Sequence, residues 1–482
     1  MSELQEYTFN FELLPEDSKK HIPLSFEVEE GAKEIIIEGS FEPKLLDEEE
    51  SKKSAIEALK MYINQGDFPL DIDTLPVNAL NEALKPFIPI RNLINFRLFD
   101  PLGNFRGTGD DRFYKGLPIK IGEHISSLGC VSGKIYPGKW RFIIETHMVV
   151  KKCILNVKIK IDNEDTQEIP ELSYGYKPIV TGNTDKKGWV AGDFHAHSNH
   201  SDGSLPIEGV AKNAIERGLD FIFLTDHNKI SGWSSIKREG FPVFPGVELT
   251  TFWGHFTAFG VNKYIEWSVI DPSVGISKAS ELVHSLGGLF CVAHPFTIGD
   301  PICTGCRCTL DVDWSYVDAL EIWAGFFKER RNENTESLKL WRRLLLEGYR
   351  ITGIGSTDIH TLQDVSPDSP KTYVFVEKLD LANILDSLKR GRVFITRGPR
   401  IDFSIDDATI GDTIKVNGRS KLSYSSQDSL DLKVFYNGET ILEIPNTLSG
   451  EVYISLGMPG YIYLEFWERN SLVAITNPIF IS

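Results

Sequence analysis

The chain has 482 residues, 41% of them hydrophobic and 25% charged, and its 68 acidic side chains outnumber 51 basic ones to give a net charge of −17. That length exceeds what one core holds, so several domains are expected, and the acidic balance speaks against general binding to nucleic acid or an anionic membrane. With no apolar run long enough to span a bilayer, a polar start that reads as no secretory leader and only six cysteines, a cytoplasmic protein without a disulfide framework is expected.

Residues 1–165 read as a β-domain. Phe9, Phe11 and Leu13 alternate with polar residues, and Ile35 to Ile37 form a buried-strand run. A charged stretch of helical period interrupts this pattern near 45–92. Strand-like segments resume at Asn95–Phe99, Lys139–Glu145 and Ile154–Ile161, separated by Gly and Pro turns as in a β-sandwich. Residues 166–188 are polar, contain Pro and Gly, and read as a linker.

From Trp189 strands alternate with helices. Val190–His197 reads as a strand. Ser204 is placed to cap a helix whose apolar face is Ile207, Val210, Ala211, Ala214 and Ile215. The run Asp220–Asp226 suits a strand covered on both sides. Phe241–Val247, His255–Gly260, Leu289–Ala293, Val317–Trp323, Arg350–Gly355, Tyr373–Glu377 and Arg392–Thr396 follow as strands. Helices are read at Ser277–Leu286, from Lys328 to Glu347 and at Leu381–Lys389. Such repetition predicts a parallel sheet closed into an α/β barrel over 189–400. Helical patterns end at Pro399, and 401–482 reads as a second all-β, sandwich-like domain.

Nine metal-ligand types fall at or just beyond the ends of these strands: His195, His197, Asp202, His227, Glu248, His255, His294, Asp358 and His360. A barrel gathers its strand ends at one mouth, so imidazoles and carboxylates fed from many strands meet there. Mixed N/O donors suit Zn²⁺, Mn²⁺ or Fe²⁺, and the absence of thiolates argues against a closed structural zinc site. Two or three divalent cations held together acidify water and neutralise charge on a phosphoryl or acyl oxygen. Metal-assisted hydrolysis is therefore the expected chemistry.

The series His-x-His-x-x-x-Ser-Asp-Gly, Thr-Asp-His-Asn, Gly-Val-Glu-Leu-Thr, Ala-His-Pro and Asp-x-His resembles the PHP (polymerase and histidinol phosphatase) superfamily. The resemblance implies a distorted (β/α)7 barrel. It would put His195, His197, Glu248 and Asp358 on one metal, Glu248, His255 and His294 on a second, and Asp202, His227 and His360 on a third. Looser flanking motifs, including Gly-Lys-Trp-Arg, Cys-Thr-Gly-Cys-Arg and Thr-Asn-Pro-Ile, are similar to the CehA/McbA-like (carbaryl-hydrolase-like) branch. Hydrolysis of a phosphomonoester or phosphodiester is expected, the substrate being a small, anionic ester. A carbamate or carboxyl-ester hydrolase with the same metals is the alternative, and a non-catalytic binding protein a further one.

Catalytic roles fall to Glu248, Asp358 and Asp226, the last also expected to orient the His227 imidazole. His200, Arg307 and Lys328 are candidate substrate contacts, with solvated loop residues as the plainer reading. His21, His124, His147 and His284 are read as ordinary core or surface histidines. Cys303, Cys306 and Cys308 lack a fourth thiol for a zinc knuckle and are read as a loop at the site's mouth or as inert thiols. Trp323, Phe326 and Phe327 could wall an apolar pocket, though packing is the commoner use of such aromatics.

Overall fold

The computed structural model describes residues 5–64, 76–164, 185–236, 240–325, 331–415 and 418–482. Lys328, Phe326, Phe327 and most of the expected linker lie outside them. None of the described helices is long and apolar enough to cross a membrane.

Strands β1 (Gln5–Leu13), β2 (Lys20–Val28), β3 (Glu34–Glu42), β4 (Leu93–Phe99), β5 (Phe105–Thr108), β6 (Ile119–Gly122), β7 (Gly138–Met148) and β8 (Cys153–Asp162) form two four-stranded sheets, ordered β1-β8-β3-β6 and β2-β7-β4-β5. Strict alternation puts every second side chain inward. Ile35, Ile37, Leu155 and Ile159 from one sheet meet Phe96, Leu98, Trp140, Phe142 and Ile144 from the other in one buried core. Helices α1 (Glu48–Asn64) and α2 (Val77–Leu84) lie between β3 and β4. They pack through Ala55 and Leu84 on Leu46 and Ile90, with Ile302 from the next unit against the same cluster. The short helix α3 (Asp110–Lys115) packs on β3 and β4.

The second unit holds β9 (Gly188–Asp193), α4 (Ile207–Glu216), β10 (Phe221–Leu224), β11 (Val243–Thr250), β12 (His255–Phe259), α5 (Ser277–Ser285), β13 (Leu289–Val292), β14 (Ala319–Ala324), α6 (Arg331–Leu346), β15 (Thr352–Ser356), β16 (Lys371–Val376), α7 (Leu381–Arg390) and β17 (Val393–Thr396). These strands belong to a closed sheet, and it is mixed rather than parallel. Strand β9 pairs parallel with β10 and β10 with β11, but β12 runs antiparallel to both β11 and β13, and β16 antiparallel to both β9 and β17. The expected sevenfold βα repetition is thus not what the pairing shows. The turn Thr251–Gly254 is too short for a crossover helix, so β11 and β12 can only form a hairpin. Beside β15, the Thr372 hydroxyl bonds both the N–H (2.8 Å) and the carbonyl (2.5 Å) of Gly355. Pro206, not Ser204, precedes the first turn of α4, Ser204 Oγ instead donates to the His360 carbonyl, and Ile215 points outward.

The remaining strands are β18 (Ile401–Ile405), β19 (Ala408–Thr409), β20 (Thr413–Ile414), β21 (Gly418–Tyr436), β22 (Glu439–Leu456), β23 (Gly460–Glu468), β24 (Ser471–Thr476) and β25 (Ile479–Ile481). They bury Phe403, Leu422, Leu432, Val434, Leu464 and Phe466, and β24 pairs with β17, joining this unit to the closed sheet. The N-terminal sandwich meets the same sheet through aromatic contacts. Phe105 stacks on Tyr264 at 4.1 Å, and Arg97 bridges Glu145 of its own unit to Glu266 of the next.

Candidate metal centre

Strand β9 ends at Asp193, so His195 and His197 lie just past it rather than within it. Their spacing is held by a parallel bridge between Ala196 and Ile359: the His197 N–H donates to Ile359 O (3.0 Å) and the Asp358 N–H to His195 O (3.0 Å). The segments carrying His195, His197 and Asp358 are therefore zipped side by side. Buried Asp193 reinforces this, accepting from Thr357 N (3.0 Å), Thr357 Oγ1 (2.6 Å) and Arg217 Nη1 (2.9 Å). Next along the sheet, Glu248 N–H donates to Thr225 O and Asn228 N–H to Glu248 O, which fixes His227 beside Glu248. Asn228, His294 and Asp358 take φ of 51°, 25° and 56°. Non-glycine residues pay strain in that region and persist there only where their surroundings demand it.

Glu248 is the hub. Its Oε2 lies 3.3 Å from His195 Nε2, 3.4 Å from His197 Nε2 and 2.7 Å from His227 Nδ1, while Oε1 lies 3.0 Å from His255 Nδ1 and 3.1 Å from His294 Nε2. Asp358 Oδ1 is 3.5 Å from His195 Nε2 and 3.2 Å from His197 Nε2. Asp202 Oδ1 reaches His227 Nε2 (3.5 Å) and His360 Nε2 (3.3 Å). All nine residues expected from the sequence thus converge. Donor atoms within 4.8 Å of one another form four groups: His195, His197 and Asp358; Glu248, His255 and His294; His197, Asp202, His227 and His360; and His195, His294 and Glu321.

The donor set fits divalent cations. Among the described residues, both ring nitrogens of His195 and His197, His255 Nε2, His294 Nδ1 and Glu248 Oε2 are buried without a hydrogen-bond partner, and such a concentration calls for a further partner such as an ion. Burial opposes ionisation of Glu248, Asp358 and Asp202, yet the neighbouring imidazoles hold all three carboxyls well below the usual carboxylate range. Burial, helped by His360 and His227, pushes His197 down to about 3, leaving a neutral ring with a lone pair to donate. Exposure rises from 1% for the His195 side chain through 19% for His227 and 29% for His360 to 48% for Asp202, which marks the mouth.

Glu321 was not among the residues expected from the sequence. Its Oε1 lies 3.4 Å from His195 Nδ1, its Oε2 accepts the His294 N–H at 2.8 Å, and Ser356 Oγ donates to it. The available signal was an acid inside the otherwise apolar strand Ala319–Ala324. Asp226 differs from expectation. Its carboxylate accepts from Ser198 N (2.8 Å), Ser198 Oγ (2.8 Å) and Ser201 Oγ (2.7 Å), so it pins the loop between His197 and Asp202 instead of orienting the His227 ring, and burial pushes it up to about 6.

The expected substrate contacts fare less well. His200 is buried, with Nδ1 3.0 Å from Ser231 Oγ, and is no solvent-facing loop residue. Arg307 packs over the rings of Tyr62 and Phe296, each at 5.6 Å, and donates to Phe296 O. Cys303 and Cys306 form a disulfide, contrary to the expectation of free thiols, whereas Cys308 is free. This loop does border the cluster: a Cβ on Gly305, at φ 76°, would come 2.0 Å from Thr251 O and 3.5 Å from His255 Nε2. Trp323 is 1% exposed and packs in the barrel core. His21 and His147 are neither isolated nor superficial, since both rings pack on Phe252 and Trp267.

No curated protein matches the chain. Among solved structures, a two-domain protein from Bacteroides vulgatus containing a predicted PHP-like metal-dependent phosphoesterase is 17% identical, over 63% of this chain and 98% of that one, with a TM-score of 0.36. An amidohydrolase from Chromobacterium violaceum, with bound sulfate and no metal, is 16% identical over 42% and 96% of the two chains, with a TM-score of 0.28. Residues 193–277, the segment that carries His195, His197, Asp202, His227, Glu248 and His255, match the PHP domain family.

Proposed function

We propose that this protein is a metal-dependent hydrolase of small phosphoesters, with residues 189–400 as its catalytic barrel. The observation that carries the reading is the single Glu248 carboxylate touching five imidazoles from four strand ends. One carboxylate shared in this way suits a bridge between neighbouring cations. The groups around Glu248 would hold two cations, and Asp202, His227 and His360 a third nearer the mouth. Bound there, divalent cations supply an acidified water and neutralise charge on the phosphoryl oxygens.

The chain's own residues do the positioning. Glu321 holds His195 from the side opposite Glu248, Asp193 and Thr357 hold Asp358, and Asp226 holds the loop that presents Asp202. Substrate enters over Asp202 and His360, the most exposed ligands. Asp202 and Asp358 are the carboxylates nearest that entrance, and the imidazoles around them keep both ionised as anionic donors for the cations. With Glu248, Asp202, Asp358 and Glu321 ionised, three divalent cations would leave an excess of two positive charges, which a phosphoryl group matches.

The test is turnover by Mn²⁺-loaded protein of a chromogenic phosphate monoester, a phosphate diester and an aryl carbamate, each beside Glu248→Ala. Glu248-dependent cleavage of either phosphate ester supports the proposal and assigns the subclass. Cleavage of the carbamate alone moves the protein to the CehA/McbA-like reading. No turnover with metal bound leaves a binding role.

A further inference from the structure

The end of the barrel opposite the metal cluster carries a second polar site. Arg350 precedes β15, whose far end leads to Asp358, so roughly 25 Å of extended chain separates the two. Beside Arg350, the last turn of α7 supplies Lys389 and Arg390, and Arg392 immediately precedes β17. Together they line a cleft of about 410 Å³ between the barrel and the C-terminal strands. That volume is in the range of small-molecule sites.

Charge sets this cleft apart. Four basic side chains line it against one acid, Asp412, in a chain of net charge −17. Counting Asp386, which pairs with Arg390 at 2.9 Å, the excess is still two positive charges. Two of the guanidinium groups are held in place. Arg350 lies 4.2 Å over the Phe480 ring and donates to Thr413 Oγ1 at 3.1 Å. Arg392 Nη2 pairs with Asp412 Oδ1 at 3.2 Å, while its Nε is buried and has no acceptor among the described residues. Lys389 makes no ion pair among them. The loop after β19 is pressed close: a Cβ on Gly411, at φ 88°, would come 2.7 Å from both Arg390 O and Arg392 N. The four basic residues therefore border one recess, whose floor the Gly411 loop brings against the backbone of Arg390 and Arg392.

We propose that this cleft binds a phosphate-bearing small anion. Planar guanidinium forks match phosphoryl oxygens, and a phosphoryl group carries about −1.5 to −2 charge near neutrality, which balances the local excess of two. Phe480 is already covered by Arg350, so recognition is of the phosphoryl group and not of an aromatic base stacked on that ring. The site stands apart from the metal cluster and does not depend on the reaction proposed for it.

The experiment is calorimetric titration of the full chain, stripped of metal, with pyrophosphate and separately with inorganic phosphate. Removing cations first silences the metal cluster as a phosphate site. Wild type and Glu248→Ala should bind pyrophosphate equally. Lys389→Glu/Arg390→Glu, at exposed positions, should bind about tenfold or more weakly, since two charge-assisted contacts become repulsive. Single Lys389→Ala, with an unchanged circular dichroism spectrum, should fall between. Preference for pyrophosphate over phosphate would indicate a diphosphoryl ligand, and equal binding a single phosphoryl group. Equal binding by wild type and the charge-reversed variant, the same heat from sodium chloride at matched ionic strength, or loss of binding in Glu248→Ala with an unchanged circular dichroism spectrum would each overturn the proposal.

Discussion

Glu321 Oε1 lies 3.4 Å from Nδ1 of His195, whose other nitrogen faces Glu248 Oε2 at 3.3 Å. The imidazole thus lies between two buried carboxylates, at ion-pair distance from each. One sits at the shared centre, and the other also anchors the His294 backbone. A ligand histidine held from behind keeps its ring orientation and gains basicity. Glu321→Gln keeps the shape and removes the charge, so metal affinity should fall by about 10- to 100-fold. Competition with a chromophoric chelator measures this, and unchanged affinity would show that Glu321 is a packing residue only.

Removing the metal should lower stability as well as activity. Three carboxylates and six imidazoles crowd together, with donor atoms within 4.8 Å of one another in groups, and several of their polar atoms are buried without a hydrogen-bond partner among the described residues. A cation that binds only the folded chain at one hundred times its Kd adds about 2.7 kcal/mol per site. Calorimetric melting with and without EDTA should show a lower midpoint in EDTA, restored by Mn²⁺ or Zn²⁺. Coincident melts would mean that no cation is bound there.

Asp226→Ala should act on the mouth more than on the floor. It strips acceptors from Ser198 N, Ser198 Oγ and Ser201 Oγ, at about 1–3 kcal/mol for buried donors left unpaired. The loop it frees carries Asp202, whereas Glu248, His255 and His294 are held by other strands. Metal titration of the variant should therefore lose the weakest site first, with the remaining sites near wild type. Equal loss at every site would contradict the separation of mouth and floor.

The gathering of the nine donor residues was legible in the sequence because such residues recur at the ends of apolar runs, and strand ends of a closed sheet must meet. The groups behind them were not. Glu321 stands in a run that reads as plain strand, and Asp226 sits next to a ligand, so proximity in sequence suggested a role that its hydrogen bonds do not serve. The antiparallel course of β12 was hidden for a similar reason. The run His255–Phe259 has the same apolar character in either direction, and only the short turn Thr251–Gly254 tells them apart. Arg307 and His200 looked free because nothing local reveals that Tyr62 or Ser231, distant in sequence, will occupy them.

His21 gives a pH dependence unrelated to the metal. Its ring stacks on Phe252 at 4.8 Å and lies near Trp267, and Nδ1 is 3.2 Å from Arg97 Nη2. Burial, and then the Arg97 charge, push it down to about 4, although Glu145 pulls the other way and His147 adds to the depression. With the folded value below the unfolded one near 6.5, the unfolded chain takes up the proton first as pH falls. The neutral ring's contribution is whole above pH 6.5, declines as pH drops toward 4, and is flat below. Between pH 7 and pH 5 that loss amounts to about 2 kcal/mol. His21→Gln cannot titrate, so its urea-unfolding free energy should fall less between those two pH values than that of wild type, by about the same amount. Because Phe252 lies in the turn that precedes His255, a protonated His21 would also press on the hairpin that carries a metal ligand. Parallel pH profiles for the two proteins would show that His21 takes up its proton over the same pH range in the folded and unfolded chain.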